Sequence, residues 1–264
     1  MHLAIIGAGA FGSALGKVLK ENGHTFAFFD PKKFPKISLE SALEGAGAVL
    51  FVAPSNTAEK TLKLLPKDLP LICASKGFLS DRFFKDFKSF SIISGASFAC
   101  DLERSFPITF TVSSVYVKNL FQTDWLSFEV THDNLGILLC GSLKNIYAIS
   151  AGFRGIRPAT PEFRTFLIDA LNEMKLVLKA NGCDKNTANL SCGFKDLALT
   201  ASSEHSRNYR LGKALRNSKK STKEIAESLG TVEGLNALNS LSSSDLNLPE
   251  ELPLLKEIFV ATRK

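Results

Sequence analysis

The chain has 264 residues, of which 45% are hydrophobic and 22% are charged. These proportions are ordinary for a globular protein and exclude a disordered or collagen-like chain. The formal net charge of +6 is spread among acidic residues along the sequence. A nucleic-acid-binding face is therefore not indicated, and an anionic small molecule as partner explains the surplus of cations as well. The length accommodates two modest domains.

The cysteines and histidines do not form metal-binding patterns. The five cysteines are scattered without CxxC spacing, and none of the four histidines belongs to a pair at metal-ligand spacing. We therefore predict no disulfide and no bound metal. No run approaches about 18 uninterrupted apolar residues, and no charged-then-apolar leader opens the chain. The expectation is a soluble, cytoplasmic protein without membrane insertion.

The N-terminal stretch predicts a strand, a glycine-rich turn, a helix and a second strand. Apolar residues 3–6 end at the sequence GAGAFG, residues 7–12, and the segment after it has apolar residues at helical spacing. A second apolar run, 25–29, then ends on Asp30. This order is typical of the start of a dinucleotide-binding domain.

Three glycines of this turn have different physical roles. Gly7 permits a tight turn after the strand, Gly9 lets a pyrophosphate approach the backbone, and Gly12 lets the helix pack closely on the strand. The phosphates would lie at a helix N-terminus, where unpaired N–H groups favour negative charge. Asp30 can bind a ribose 2′-hydroxyl and repel a 2′-phosphate. NAD is therefore the predicted cofactor, with NADP possible because two lysines follow closely.

The rest of the chain indicates two architectures in succession. Strand-like runs alternate with helical segments at first, with further strands predicted at 48–53, 69–74, 91–94 and 109–112. Later segments have helical periodicity only, with helices predicted at 135–151, 162–180, 190–200, 207–215, 222–229, 231–241 and 254–260. We expect an α/β protein with a Rossmann-like domain, residues 1–132, built on a doubly wound parallel sheet. An all-helical substrate domain would occupy residues 133–264.

Polar clusters follow two of the predicted strands, at the sheet edge where open α/β sheets bind ligands. The sequence ASKG, residues 74–77, follows the fourth strand, and SGASFA, residues 94–99, follows the fifth. Each combines a glycine with a side-chain donor suited to a phosphate or a cofactor. Serine and glycine are also ordinary loop residues, so a purely structural interpretation stays open.

The helical half contains charged residues in unusual settings. Lys144 interrupts an apolar helix, so it must extend to solvent, find a partner or face a polar cleft. Burial of an amine favours its neutral form, which is suited to proton transfer. Further along, Asp196 begins one segment, and Ser206, Arg207 and Asn208 follow it. These residues supply a carboxylate, a planar cation for phosphate and two small donors.

Seven short motifs, taken in order, resemble those of the NAD(P)-dependent glycerol-3-phosphate dehydrogenase family in a shortened, bacterial-type form. They are GAGAFGSALG, ASKGF, SGASFA, GSLKNIYAISAG, GFKDLALT, SRNYRLG and TVEG. The resemblance runs from residue 1 to about residue 240. It implies reversible reduction of dihydroxyacetone phosphate to sn-glycerol 3-phosphate with NADH or NADPH, for phospholipid synthesis, by a homodimer.

The resemblance also implies roles for single residues. Lys144 matches the family's proton donor and acceptor at the C2 oxygen, and the catalytic set is completed by Lys76 and Asp196. The substrate-binding set is Lys76, Gly95, Ser97, Lys144, Asp196, Ser206, Arg207 and Asn208. The cofactor-binding set is Gly7, Gly9, Ala10, Phe11, Gly12, Asp30, Lys76, Ala99, Arg207 and Glu233.

The sequence departs from the family pattern in three places. The segment between Asp30 and Ala48 is short, Ala96 stands where proline is usual, and Phe194 and Lys195 stand where leucine and glycine are usual. Two alternatives therefore stay open. Another two-domain reductase, acting on ketopantoate or a 3-hydroxyacid, would share the glycine turn and a helical-domain lysine. A sensor of NADH or of the phosphate ester would bind without turnover and would not need a proton carrier.

Overall fold

The structure is a computed structural model that describes residues 1–77, 80–241 and 244–263. The chain forms two compact units. The first, which we call the sheet unit, comprises Met1–Lys76 and Asp81–Asn134, and the second, the helical unit, consists mainly of Leu135–Lys264.

The described part of the sheet unit contains a seven-stranded sheet. Its strands are β1 (His2–Ile6), β2 (Thr25–Phe29), β3 (Ala48–Phe51), β4 (Leu71–Cys73), β5 (Phe90–Gly95), β6 (Ile108–Val112) and β7 (Leu126–Val130). They lie in the order β2-β1-β3-β4-β5-β6-β7. The strands from β1 to β5 are parallel, β6 is antiparallel to β5, and β7 is parallel to β6. The predicted Rossmann-like α/β class is confirmed, but the sheet is mostly rather than wholly parallel.

Strand β7 was not predicted, and its sequence explains why. The segment LSFEV alternates apolar and polar residues over only five positions and is buried fully at Leu126 alone. It lies at one edge of the sheet, where a strand has one neighbour and less of it is covered. Thr111 of β6 donates a hydrogen bond to Glu129 of β7 at 3.2 Å, so polar side chains contribute to this edge.

The helices of the sheet unit follow its strands. They are α1 (Ala10–Glu21), α2 (Leu39–Leu43), α3 (Ser55–Leu64), α4 (Ala99–Glu103) and α5 (Val115–Leu120). Leu15, Val18 and Leu19 of α1 are fully buried in the same core as Leu3 and Ile5 of β1. The apolar stripe of α1 therefore fixes the helix against the sheet and sets where its N-terminus lies.

The helical unit contains only helical elements among its described residues. The α-helices are α6 (Asn134–Arg154), α7 (Pro161–Ala180), α8 (Asp196–Ala201), α9 (Arg207–Asn217), α10 (Thr222–Leu229), α11 (Glu233–Leu241) and α12 (Pro253–Ala261), and a short 3-10 helix, Lys185–Asn189, follows α7. The single helix predicted at 190–200 is wrong in detail, because a π-helical segment, Ser191–Lys195, precedes α8. A Cβ at Gly193 would overlap the carbonyl oxygen of Ala188, and this close approach accompanies the local change of helix type.

Helix α6 forms the centre of the helical unit. It is long and apolar enough to cross a membrane by length and composition, but 94% of its most apolar window is buried inside the protein. Two glycines let α9 approach it: a Cβ at Gly152 would overlap the backbone at Tyr209, and one at Gly212 would overlap the backbone at Ile149. The arrangement is that of a core helix whose backbone contacts its neighbour directly.

Candidate active site

The three glycines of the turn after β1 differ in what surrounds them. Gly7 has φ of +108°, and a Cβ there would lie 2.9 Å from the backbone nitrogen of Ala53. A Cβ at Gly12 would overlap the carbonyl oxygen of Gly7. By contrast, nothing lies within 4 Å of the position a Cβ would take at Gly9. Conformation requires the first glycine and packing requires the third, while the middle one borders open space.

Helix α1 begins directly at this turn. Gly9 is its N-cap, no side chain caps it, and its first turn contains no acidic residue. Ala10 and Phe11 form that first turn, where backbone N–H groups have no intrahelical acceptor. Uncapped N–H groups beside open space suit the pyrophosphate of a dinucleotide, so the residues present fit NAD or NADP.

Asp30 follows β2 and is held by three backbone donors. Its carboxylate accepts hydrogen bonds from the N–H groups of Ala8 at 2.9 Å, Lys32 at 3.1 Å and Lys33 at 3.2 Å. Partial burial opposes its ionisation, but these bonds and a nearby lysine charge outweigh burial, so the pKa of the carboxyl lies below its ordinary value. A fixed negative charge therefore lies beside the glycine turn.

The two polar clusters predicted after β4 and β5 meet in the sheet unit. Lys76 Nζ donates a hydrogen bond to the carbonyl oxygen of Gly95 at 3.2 Å. The Ser97 side chain is buried, and its Oγ has no hydrogen-bond partner among the described residues. Ala99 begins α4 two residues later. Phe78, which ends the motif ASKGF, lies outside the described residues.

The helical unit contains a buried lysine–carboxylate pair. Lys144 Nζ of α6 donates to Asp196 Oδ1 at 3.1 Å and to Thr200 Oγ1 at 2.9 Å. Lys144 is 5% exposed, Asp196 1% and Thr200 4%. Since burial of either charge alone would cost several kcal/mol (about 3–5 when one partner of such a pair is removed), the two side chains depend on each other.

Thr200 helps to hold the Lys144 amine in one orientation beside Asp196. Its hydroxyl accepts from Lys144 and lies 2.6 Å from the backbone carbonyl oxygen of Asp196, to which it donates. Both residues are on α8, one helical turn apart, so the spacing brings the carboxylate and the hydroxyl to one face. Thr200 is not among the residues predicted from the sequence, although its position four residues after Asp196 in the motif GFKDLALT was a usable signal.

A chain of amide contacts connects Asn208 of α9 to Glu233 of α11. Asn208 Nδ2 donates to Asn145 Oδ1 at 2.8 Å, and Asn145 Nδ2 lies 3.3 Å from Glu233 Oε2. The N–H group of Gly234 donates to Asn208 Oδ1 at 2.9 Å. Asn145 was not assigned by the sequence analysis, and its place directly after Lys144 was the available signal.

Ser206 and Arg207 lie at the start of α9. The Ser206 hydroxyl is the N-cap and accepts from the N–H group of Tyr209 at 3.3 Å. Arg207 is the first residue of the helix and is exposed. A planar cation at the positive end of a helix is suited to a phosphate.

The described residues contain no group of three or more histidine, cysteine, aspartate or glutamate side chains that could hold a metal ion. The candidate functional groups of the helical unit are the lysine pair, the amide chain and the cation of Arg207. The lysine pair and the amide chain each join helices that are separated along the sequence, with 52 residues between Lys144 and Asp196 and 63 between Asn145 and Asn208.

A Rossmann-like sheet with a glycine turn, followed by helices that bury a lysine–aspartate pair, defines the class of two-domain nicotinamide-dependent dehydrogenases. Residues 133–262 match the family profile described as "NAD-dependent glycerol-3-phosphate dehydrogenase C-terminus". A glycerol-3-phosphate dehydrogenase of Campylobacter jejuni is 31% identical over 89% of this chain and 85% of its own length. One from Shouchella clausii is 27% identical over 97% of this chain and 90% of its own. The chain belongs to the NAD(P)-dependent glycerol-3-phosphate dehydrogenase family.

Solved structures show the same fold. Glycerol-3-phosphate dehydrogenase from Coxiella burnetii matches with a TM-score of 0.84 at 22% identity, covering 99% of this chain and 94% of that one. A ketopantoate reductase from Ralstonia eutropha matches less well, with a TM-score of 0.57 at 17% identity over 100% of this chain and 97% of that one. These structures show the fold, which the ketopantoate reductase shares more distantly, while the family profile and the relatives confirm the resemblance to glycerol-3-phosphate dehydrogenases.

Proposed function

We propose that this chain catalyses the reversible reduction of dihydroxyacetone phosphate to sn-glycerol 3-phosphate with NADH. The observation that carries the proposal is the buried cluster of Lys144, Asp196 and Thr200 in a member of this family. Buried ion pairs are often no more stabilising than apolar residues of similar volume. A closed lysine–carboxylate–hydroxyl cluster in the helical unit is therefore better explained by chemistry than by stability.

Lys144 would donate a proton to the C2 oxygen as the carbonyl is reduced. When bound, the reduced nicotinamide supplies the hydride to C2. The ammonium of Lys144 stabilises the negative charge that develops on the oxygen, and its proton completes the alcohol. Asp196 and Thr200 hold the amine in one orientation. In the reverse direction the neutral amine accepts the proton of the C2 hydroxyl.

Arg207 would hold the phosphate of the substrate. Its exposed guanidinium at the first turn of α9 can form two parallel bonds to phosphate oxygens. Ser206 caps the same turn, and Asn208 is fixed by its bonds to Asn145 and Gly234. Lys76, Gly95 and Ser97 are proposed as further substrate contacts.

The sheet unit would bind the dinucleotide. We assign this role to residues 1–132 and substrate binding to residues 133–264. Open space at Gly9 and the uncapped first turn of α1 support a pyrophosphate site there. The fixed charge of Asp30 favours NAD over NADP, because it would repel a 2′-phosphate. Ala99, Arg207 and Glu233 are proposed as additional cofactor contacts.

Family membership supports the remaining proposals. We infer that the reaction runs toward glycerol 3-phosphate for phospholipid synthesis, in the cytoplasm, and that the enzyme is a homodimer. The buried character of α6 agrees with a soluble protein.

The experiment that tests the function is a substrate panel followed by nicotinamide absorbance. NADH oxidation should occur with dihydroxyacetone phosphate and should be at least about ten-fold slower with ketopantoate, which lacks the phosphate that Arg207 would bind. Activity with ketopantoate alone would favour the other reductase class. NADH binding without turnover on either substrate would favour a sensor.

A matched pair of arginine variants tests the phosphate site. Arg207→Ala should raise the KM for dihydroxyacetone phosphate by about ten-fold or more, because a charge-assisted bond to the phosphate is lost. Arg210→Ala removes another exposed arginine of α9 and should leave the KM within about two-fold. Equal effects of the two variants would contradict the assignment of Arg207.

A further inference from the structure

The side chain of Ser75 joins two strands at the carboxyl edge of the sheet unit, where open α/β sheets bind ligands. The backbone ladder between β3 and β4 ends where the N–H group of Ala74 donates to the carbonyl oxygen of Phe51 at 2.9 Å. One residue later, the Ser75 hydroxyl donates to the carbonyl oxygen of Ala53 at 2.5 Å and lies 3.4 Å from that of Phe51. A side-chain bond therefore continues the connection beyond the last backbone bond.

The segment that Ser75 holds lies directly against the glycine turn. A Cβ at Gly7 would lie 2.9 Å from the backbone nitrogen of Ala53 and 3.1 Å from the carbonyl carbon of Val52. A Cβ at Gly12 would lie 3.6 Å from the Val52 side chain. Because closely packed atoms transmit a displacement to their neighbours, a shift of Ala53 would move the turn and, with it, the N-terminus of α1.

Ser75 also fixes the backbone next to Lys76. The Nζ of Lys76 donates to the carbonyl oxygen of Gly95, at the end of β5, at 3.2 Å. Gly77 has φ of +94°, so the chain leaves the line of β4 directly after the lysine. Two adjacent side chains thus connect the carboxyl ends of β3, β4 and β5, and the first of them holds the backbone from which the lysine extends.

The hydroxyl of Ser75 is used by the protein itself. A serine has a single O–H donor, and the bond to the carbonyl oxygen of Ala53 uses it. The side chain is partly buried. Ser75 is therefore suited to act on a ligand through the groups that it holds in place, and not by donating to a phosphate.

We propose that Ser75 is a positioning residue for both ligands of the sheet unit. By holding Ala53 against the glycine turn, it keeps the backbone N–H groups of that turn in place for the pyrophosphate, and it sets the position of Lys76 for the substrate. The inference rests on the proposed function, in which the turn binds the dinucleotide. Loss of the hydroxyl would weaken cofactor binding although no atom that contacts the cofactor has been removed.

The test combines NADH titration of the full chain, followed by fluorescence, with steady-state kinetics. Ser75→Ala should weaken NADH binding by about five-fold, the effect of one lost hydrogen bond. The KM for dihydroxyacetone phosphate should rise by a similar factor, while kcat stays within about two-fold because the proposed proton carrier lies in the helical unit. Ser75→Thr keeps the hydroxyl and should restore NADH binding to within about two-fold of the wild type.

Ser91→Ala is the matched control, because it removes a similar bond far from the glycine turn. Ser91 is the second residue of β5, toward the opposite edge of the sheet, and its hydroxyl lies 3.0 Å from that of Ser114. Both alanine variants should lower the free energy of unfolding, but Ser91→Ala should leave NADH binding within about two-fold of the wild type.

The outcomes separate this inference from the proposed function. NADH binding that is unchanged in Ser75→Ala, equally weakened in Ser91→Ala, or not restored in Ser75→Thr would overturn the positioning role while leaving the dehydrogenase proposal in place. A wild-type chain that does not bind NADH would overturn both.

Discussion

The proposed ligand sites of the sheet unit and of the helical unit are built in opposite ways. At the glycine turn, backbone groups are left bare: Gly9 borders open space, and the first turn of α1 has no side-chain cap. In the helical unit, Lys144, Asp196 and Thr200 already satisfy one another in a buried cluster. Binding of phosphates by backbone N–H groups requires that no side chain covers them. Proton transfer by a lysine requires neighbouring side chains that hold its amine in place.

The largest effect is expected in the helical unit. Lys144→Ala should lower turnover by about 10²–10⁴-fold, the usual contribution of a general acid, while NADH binding changes by less than about two-fold. Steady-state kinetics and NADH titration measure the two quantities. Lys213→Ala, which removes an exposed lysine paired with Glu204 at 2.9 Å, serves as the control. Turnover that survives in Lys144→Ala would remove this lysine from the mechanism.

The Lys144→Ala variant leaves the Asp196 carboxylate buried without the Lys144 ammonium, so folding needs a separate control. The double variant Lys144→Ala/Asp196→Asn removes both charges and should recover most of the lost free energy of unfolding, since a buried carboxylate that has lost its cation is the costly element. Its turnover should stay as low as that of the single variant. Chemical denaturation thus separates the catalytic loss from a loss of stability.

The glycine turn offers a comparison within one motif. Gly12→Ala should lower the free energy of unfolding by about 1–3 kcal/mol, because its Cβ would overlap the carbonyl oxygen of Gly7 and force a backbone shift. Gly9→Ala meets no atom in the protein, so stability should stay unchanged while NADH binding weakens by about ten-fold. Denaturant unfolding and NADH titration check the pair. A stability loss in Gly9→Ala would contradict the open space proposed for the pyrophosphate.

The same contrast explains which features could be predicted from the sequence. The glycine turn could be predicted because every part of it is local, from the apolar strand to Asp30. The antiparallel pairing of β6 with β5 could not be predicted, because an alternation of strands and helices does not specify whether the strand after α4 runs parallel or antiparallel to its neighbour. Thr200 and Asn145 could be suspected from their places near Asp196 and Lys144, but their contacts with Lys144 and Asn208 could not, because these partners lie 56 and 63 residues away along the chain.

Asp30 combines features of both proposed sites, because its side chain is held by backbone N–H groups at the glycine turn. Asp30→Ser should relax discrimination between the cofactors, raising the ratio of kcat/KM for NADPH to that for NADH by about ten-fold, because repulsion of the 2′-phosphate is lost. Parallel assays with the two cofactors measure this ratio. An unchanged preference would show that Asp30 does not face the ribose.

The smallest effect concerns Glu173, another buried carboxyl of the helical unit. It accepts hydrogen bonds from the N–H groups of Leu254 at 2.6 Å and Leu255 at 3.1 Å, at the start of α12. Burial raises the pKa of Glu173 above its ordinary value of 4.5, although these bonds oppose the shift. The folded state therefore binds this proton more strongly than the unfolded state, and the stability contribution falls as pH rises from 4.5 through the raised pKa.

Glu173→Gln tests this pH dependence, since glutamine does not titrate. The free energy of unfolding of the wild type minus that of the variant should decrease with rising pH across this window. Denaturant unfolding at several pH values measures the difference. If this difference in the free energy of unfolding is constant with pH, the pKa of Glu173 is not raised in the folded state, and burial of this carboxyl does not make stability depend on pH.

Transfer of deuterium from the cofactor to the product tests the proposed hydride transfer to C2. The reaction is run in ordinary water with dihydroxyacetone phosphate and NADH that carries deuterium at both C4 positions, and the product is analysed by mass spectrometry and NMR. We expect sn-glycerol 3-phosphate with one deuterium, located at C2, and a hydroxyl proton taken from the protein or solvent. Product without deuterium at C2, or no product from a chain that binds NADH, would contradict it.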